Sequence, residues 1–230
     1  MINISNRIKI YLWKILKLLL ISRYPPIIVA SMGRSGSTLV YNAICESVSK
    51  RRFKYFPWLA RRIVVETAWD LDEQTYRRGV VYKTHGLGHE LPNGTGAKVI
   101  FLFGSASDAA LSVVKCKEKK DNYWIEEHFR HLRAAGEFSE IGERDILRFE
   151  DQLDSWSLRH DIPIMLLHYD AIWENQETIS KFLGLAIKLP KRRPRSTSSE
   201  VNEATSEKFE ATYRELDQRI SEMPRCQISD

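Results

Sequence analysis

Residues 25–44, PPIIVASMGRSGSTLVYNAI, constrain the fold more than any other stretch. Four consecutive apolar residues, Ile27 to Ala30, show no polar alternation, the pattern of a strand buried on both faces in a parallel sheet. A loop of mostly small residues follows, Ser31-Met32-Gly33-Arg34-Ser35-Gly36-Ser37-Thr38. Leu39, Val40, Ala43 and Ile44 then recur on one face of a helix. Strand, glycine-containing loop and helix in immediate succession form an anion cradle. The first helical N–H groups lack intrahelical partners and carry the positive end of the macrodipole. Gly33 and Gly36 let the backbone curl close to the anion, Ser37 and Thr38 add hydroxyl donors, and Arg34 adds a fixed charge.

The rest of the chain suits one globular unit built on that cradle. Its 230 residues, 43% hydrophobic and 28% charged, can bury one sizeable core. Cys45, Cys116 and Cys226 are odd in number and widely spaced, with no CxxC and no histidine pairing. That pattern argues against a structural zinc site and for free thiols in a reducing compartment. Charge is uneven: residues 1–62 hold twelve Lys or Arg and one acid, Glu46, whereas the remainder is net −6 within a total of +5. A basic N-terminal quarter points to anionic partners such as nucleotide phosphates, a membrane surface or an acidic glycan.

Within that quarter, residues 7–22, RIKIYLWKILKLLLIS, place Lys9, Lys14 and Lys17 on one side of an apolar helix. The apolar run falls short of the roughly 20 residues that span a bilayer. No small-residue cleavage site follows it, which argues against a signal peptide. Two readings stand: an interfacial amphipathic helix, or a helix packed on the domain's own surface. Residues 50–62 interleave basic and aromatic side chains, but no nucleic-acid module surrounds them, and no nucleic-acid partner is expected.

The loop is not that of ATP-binding proteins, which needs Gly-Lys-Ser/Thr; here Ser37 stands at the lysine position and the cation comes earlier, at Arg34. Arg-Ser-Gly-Ser-Thr after an apolar strand instead resembles the 5′-phosphosulfate loop of sulfotransferases, whose donor is 3′-phosphoadenosine 5′-phosphosulfate (PAPS). The resemblance implies that Arg34, Ser35, Gly36, Ser37 and Thr38 bind the donor. A second apolar run, Gly79 to Tyr82, ends in Lys83-Thr84-His85. In extended chain Lys83 and His85 point the same way, at the carboxyl end of a parallel strand where open α/β sheets bind ligands. Lys-Thr-His is similar to the catalytic segment of cytosolic sulfotransferases, which implies His85 as the base and Lys83 as a contact to the phosphosulfate.

The next strand, residues 97–103, leads into Gly104-Ser105-Ala106-Ser107-Asp108, where Ser105 followed by Asp108 fits a helix cap. Sulfotransferases typically read Arg-x-Pro-Arg-Asp here, with a serine eight residues after the first arginine; that Arg and Ser bind the donor's 3′-phosphate. Asp108 and Ser112 match, whereas Gly104 and Ser107 replace the arginines. Basic residues of the later loop, Arg192, Arg193 or Arg195, are expected to compensate. Residues 115–160 read as mainly helical, with His128 and His131 on the surface rather than on a metal. A strand at 162–170 and the helix end Phe182-Leu183-Gly184-Leu185 also resemble the family, and one final helix is expected near 201–222.

Together these features predict an α/β three-layer sandwich with a mostly parallel central sheet, the P-loop-like fold of sulfotransferases. The expected division is a basic amphipathic helix at 1–24, the core at 25–190, and a basic loop with a C-terminal helix at 191–230. The resemblance implies sulfuryl transfer from PAPS, without a metal, to a hydroxyl or amine of a small molecule, glycan or lipid, with the weight on carbohydrate. The expected location is cytoplasmic, peripheral to a membrane if residues 7–22 bind one. The alternatives are a non-catalytic anion- or membrane-binding relative and a P-loop kinase.

Overall fold

Ile27–Ser31 forms β1, fully buried along its length. In the computed structural model, which describes residues 24–52, 61–62, 64–119, 122–192 and 203–229, β1 is an inner strand of a six-stranded sheet. The stretch 7–22, most of 50–62, and Arg193 and Arg195 lie outside the described residues. The other strands are β2 (Val65–Thr67), β3 (Val81–Thr84), β4 (Lys98–Phe103), β5 (Ile164–His168) and β6 (Cys226–Ser229). Their order is β2-β3-β1-β4-β5-β6, with every pairing parallel except β5 with β6.

The strand side chains alternate between two cores, which is why the inner strands read as unbroken apolar runs. Ile28, Ala30, Val99 and Phe101 face one core; Ile27, Val29, Ile100 and Leu102 face the other. Helix α1 (Ser37–Arg52) packs Val40, Ile44 and Val48, at intervals of four, into the second core together with α5 (Gln176–Leu183). The first core is covered by α2 (Ala106–Lys119), α3 (Asn122–Leu132), α4 (Phe149–Ser157), α6 (Glu203–Thr212) and α7 (Arg214–Glu222). The three layers are therefore present, with the mostly parallel sheet in the middle.

This topology fixes where a ligand can sit. After β1 the chain adds β2 and β3 on one side of it; β4 then pairs on the other side. α1, after β1, and α2, after β4, lie on opposite faces of the sheet. Their connections part at the carboxyl ends of β1 and β4, the usual ligand position in such sheets.

Several elements differ from expectation. Residues 133–148 are not helical beyond a single turn at Phe138–Glu140. Gly142, at φ +87, breaks the chain there, while Ile141, Ile146 and Leu147 reach the core from loop backbone. The last helix is two, divided at Tyr213, whose ring is buried 5.9 Å from that of Phe149. Just before the break the Thr212 hydroxyl bonds the carbonyls of Lys208 and Gly142, a back-bond that bends helices. The edge strand β6, at Cys226–Ser229, was not among the expected elements. No helix among the described residues is long and apolar enough to cross a membrane.

Candidate active site

Residues 33–36 curl through three left-handed backbone conformations, Gly33 (φ +92), Arg34 (φ +52) and Gly36 (φ +84). Successive N–H groups in such a curl converge on a common point and form an anion nest, continued here by the start of α1. A non-glycine residue at positive φ costs about 1 kcal/mol or more, and such strain persists where surrounding bonds hold it. Arg34 is held by its Nε–H, which donates to Ser112 Oγ on α2 at 2.8 Å. Ser35 Oγ donates to the Leu102 carbonyl at 2.8 Å and ties the loop to β4. Ser35 is thus a brace for the loop. Ser37 is buried at the first position of α1, and Thr38 Oγ1 accepts from Lys83 Nζ at 2.8 Å.

Gly36 has a second constraint. A Cβ there would lie 2.9 Å from Tyr169 Cδ2 and 3.0 Å from Ile172 Cδ1. Gly36→Ala is therefore expected to lower stability by about 1–3 kcal/mol and to open the loop. A urea midpoint equal to that of the wild type would refute this close fit.

His85 follows β3 and is buried. Its Nδ1 lies 3.0 Å from the Ser31 carbonyl and 3.1 Å from Ser31 Oγ. A carbonyl oxygen can only accept, so Nδ1 carries the proton and Nε2 keeps the lone pair. Helix α4 fixes the segment behind it: Gln152 Nε2 donates to the His85 carbonyl, Trp156 Nε1 donates to the Gly86 carbonyl at 3.0 Å, and the Gly88 N–H donates to Ser155 Oγ at 2.9 Å. Burial, with Lys83, His131 and Arg34 in support, lowers the His85 pKa to about 4, although the bond to Ser31 opposes the shift. His85 is a neutral imidazole in neutral solution. Lys83 is also shifted down, first by burial and then by Arg34.

The neighbours of His85 were not legible as site residues. Trp69 lies 6.0 Å from it, near parallel, and stacks on His131 at 3.5 Å; His128 meets it edge-on at 5.8 Å and stacks on Trp124 at 4.9 Å. The expectation of surface histidines is corrected. Ile125, His128 and Leu132 form the buried face of α3, while Arg130 and Arg133 face outward. The spacing of Ile125, His128 and Leu132, three and then four residues apart, carried that signal. Among the described residues no group of three or more His, Cys, Asp and Glu is placed to hold a metal ion.

No protein-family model matches the chain, and no curated protein matches it.

The remaining candidates divide between two regions. Ser112 joins Arg34, as above. At the start of α2, Ser105 Oγ accepts from the Asp108 N–H at 3.1 Å, the expected cap. Asp217 of α7 adds a carboxylate that accepts from the Ala106 N–H at 2.5 Å and from Ser107 Oγ at 2.5 Å. A Cβ at Gly104 would lie 3.2 Å from Tyr169 Cβ, so the backbone there passes too close to Tyr169 to take a side chain without shifting. Arg192 donates to Asp170 at 3.1 Å and lies over the Trp173 ring at 5.4 Å. It flanks a cleft of about 800 Å³ that runs from Thr38 along α1 and is lined by Tyr169, Trp173, Lys50, Lys188 and Lys191 among others.

Proposed function

We propose that this chain is a PAPS-dependent sulfotransferase with a P-loop-like fold, transferring the sulfuryl group to a hydroxyl or amine, with a carbohydrate or glycolipid as the favoured acceptor class. One observation carries the reading. The two segments that resemble sulfotransferase motifs, far apart in sequence, meet through the Lys83–Thr38 bond, and the histidine beside them has the tautomer a base needs. In the proposed reaction the 5′-phosphosulfate sits on the N–H groups of residues 34–38 and the hydroxyls of Ser37 and Thr38, while Ser35 braces the loop through Leu102. His85 Nε2 takes the acceptor's proton as the acceptor oxygen or nitrogen attacks sulfur. The bond from sulfur to the bridging phosphate oxygen breaks, and adenosine 3′,5′-bisphosphate leaves with the negative charge opposite Lys83 and Arg34. The aromatic and lysine-lined cleft beside Thr38 has the size and chemistry for the nucleoside.

A non-catalytic anion-binding relative is the second reading, favoured by the start of α2. There Gly104 and Ser107 stand in place of two arginines and Asp217 supplies a negative charge. Calorimetry with adenosine 3′,5′-bisphosphate, adenosine 5′-phosphate as control, and turnover of labelled PAPS with mixed acceptors separate the two. The expected result is tight binding that needs the 3′-phosphate and weakens about tenfold or more in Arg34→Ala, the loss of a charge-assisted bond. Binding without turnover favours the second reading. No nucleotide binding removes both the donor and the enzyme assignment.

A further inference from the structure

One polar atom facing the loop has no role in the reaction above. His128 is 8% exposed, and its Nε2 is buried with no hydrogen-bond partner among the described residues. Leaving such a group unpaired costs about 1–3 kcal/mol. The atom faces the anion loop, since a Cβ on Gly33 would lie 3.7 Å from Nε2 and 3.6 Å from Cε1 of the same ring. The ring is packed in place, with Trp124 stacked on it at 4.9 Å and His85 edge-on at 5.8 Å. A fixed, unpartnered polar atom thus lies against Gly33, at the start of the nest.

We propose that His128 Nε2 donates a hydrogen bond to an oxygen of the tetrahedral oxyanion held by residues 33–38, making it a binding residue for the transferred group. An oxyanion in the loop can only accept, so the tautomer that pays back the buried nitrogen is the one with Nε2 protonated. Burial, with His85, Arg34, His131 and Lys83 nearby, holds the ring neutral, its pKa lowered to about 2. It therefore donates without adding a further charge beside Arg34 and Lys83, and without competing with His85 for the acceptor's proton. This inference rests on the loop holding an oxyanion, one part of the function proposed above, and does not depend on which nucleotide carries it.

The test uses the full chain with ¹⁵N-labelled histidine, titrated with sodium sulfate against sodium chloride at matched ionic strength. Sulfate is expected to move the His128 Nε2 resonance. His128→Leu should weaken sulfate binding by about fivefold or more, and His128→Asn, which keeps an N–H donor, should stay within about twofold of wild type. Sulfate that leaves the His128 resonance in place, or binds His128→Leu as it binds wild type, overturns the proposal. If His128→Leu does not fold, the wild-type resonance and His128→Asn decide the matter. Turnover of labelled PAPS on the same samples separates the two ideas. Sulfate binding that needs His128 without transfer keeps this inference and removes the reaction; transfer with sulfate binding indifferent to His128 does the reverse.

Discussion

Replacing His85 with asparagine is expected to lower the turnover of sulfuryl transfer by about 10³, within the roughly 10²–10⁴ that a positioned general base supplies. The asparagine amide can still donate toward Ser31, so the fold should survive, but nothing then accepts the acceptor's proton. Binding of adenosine 3′,5′-bisphosphate should change by less than about threefold, because Arg34 and Lys83 remain. The pH profile gives an independent reading. A surface histidine would lose activity below about pH 6.5. The buried His85, with its pKa lowered to about 4, should place the acid limb of kcat/KM near that value. A His85→Asn enzyme within fivefold of wild type would remove His85 from the reaction and leave the loop as an anion site.

The second large effect is on stability in mild acid. His85 and His128 are both shifted down chiefly by burial, to about 4 and about 2. In each case the folded-state value lies below the unfolded one, so the unfolded chain takes up protons first. The contribution to stability is complete above the unfolded value of about 6.5 and falls as pH drops toward the folded value. His131 shifts in the same direction. By pH 5 each of the two buried rings should have withdrawn roughly 2 kcal/mol, a large share of the 5–15 kcal/mol typical of a domain. Most of this loss occurs above the range where carboxylates titrate. Urea unfolding at pH 7.5 and pH 5 measures it, and a combined loss under about 1 kcal/mol would mean that the two rings are not buried and neutral together.

The parts of the fold that were legible in the sequence share one property: their burial leaves a local signature. The apolar residues of β1, β4 and β5 run without a break because both faces of the inner strands are covered. Gly184 marks the end of α5 because its φ of +67 suits glycine, and its N–H bonds back to Lys181 at 3.2 Å. The loop 133–148 misled because Ile141, Ile146 and Leu147 fill the core from irregular backbone, a tertiary demand that looks like helical spacing. Four residues of Cys-Gln-Ile-Ser give too short a pattern to announce β6. The candidate site was half legible. The loop, Lys83 and His85 could be picked out from two short motifs. The support of His85 by Gln152, Ser155 and Trp156 could not, since it joins residues about 70 positions apart. Trp69 and His128 reach His85 from other elements, 16 and 43 positions away, and only the helical spacing of Ile125, His128 and Leu132 hinted that His128 is buried.

The antiparallel strand β6 also bears on the order in which this protein can mature. β5 pairs with β4 on one side, but its other edge is filled only by Cys226–Ser229, more than fifty residues later. While the chain is being synthesised, Ile164–His168 emerges with a bare row of backbone donors and acceptors, flanked by the apolar side chains of Met165 and Leu167. A bare strand edge is a template for pairing with another molecule. Ribosome-bound chains that stop before residue 226 are thus at their most association-prone after β5 has left the exit tunnel, and folding of this half of the sheet completes only when β6 closes that edge.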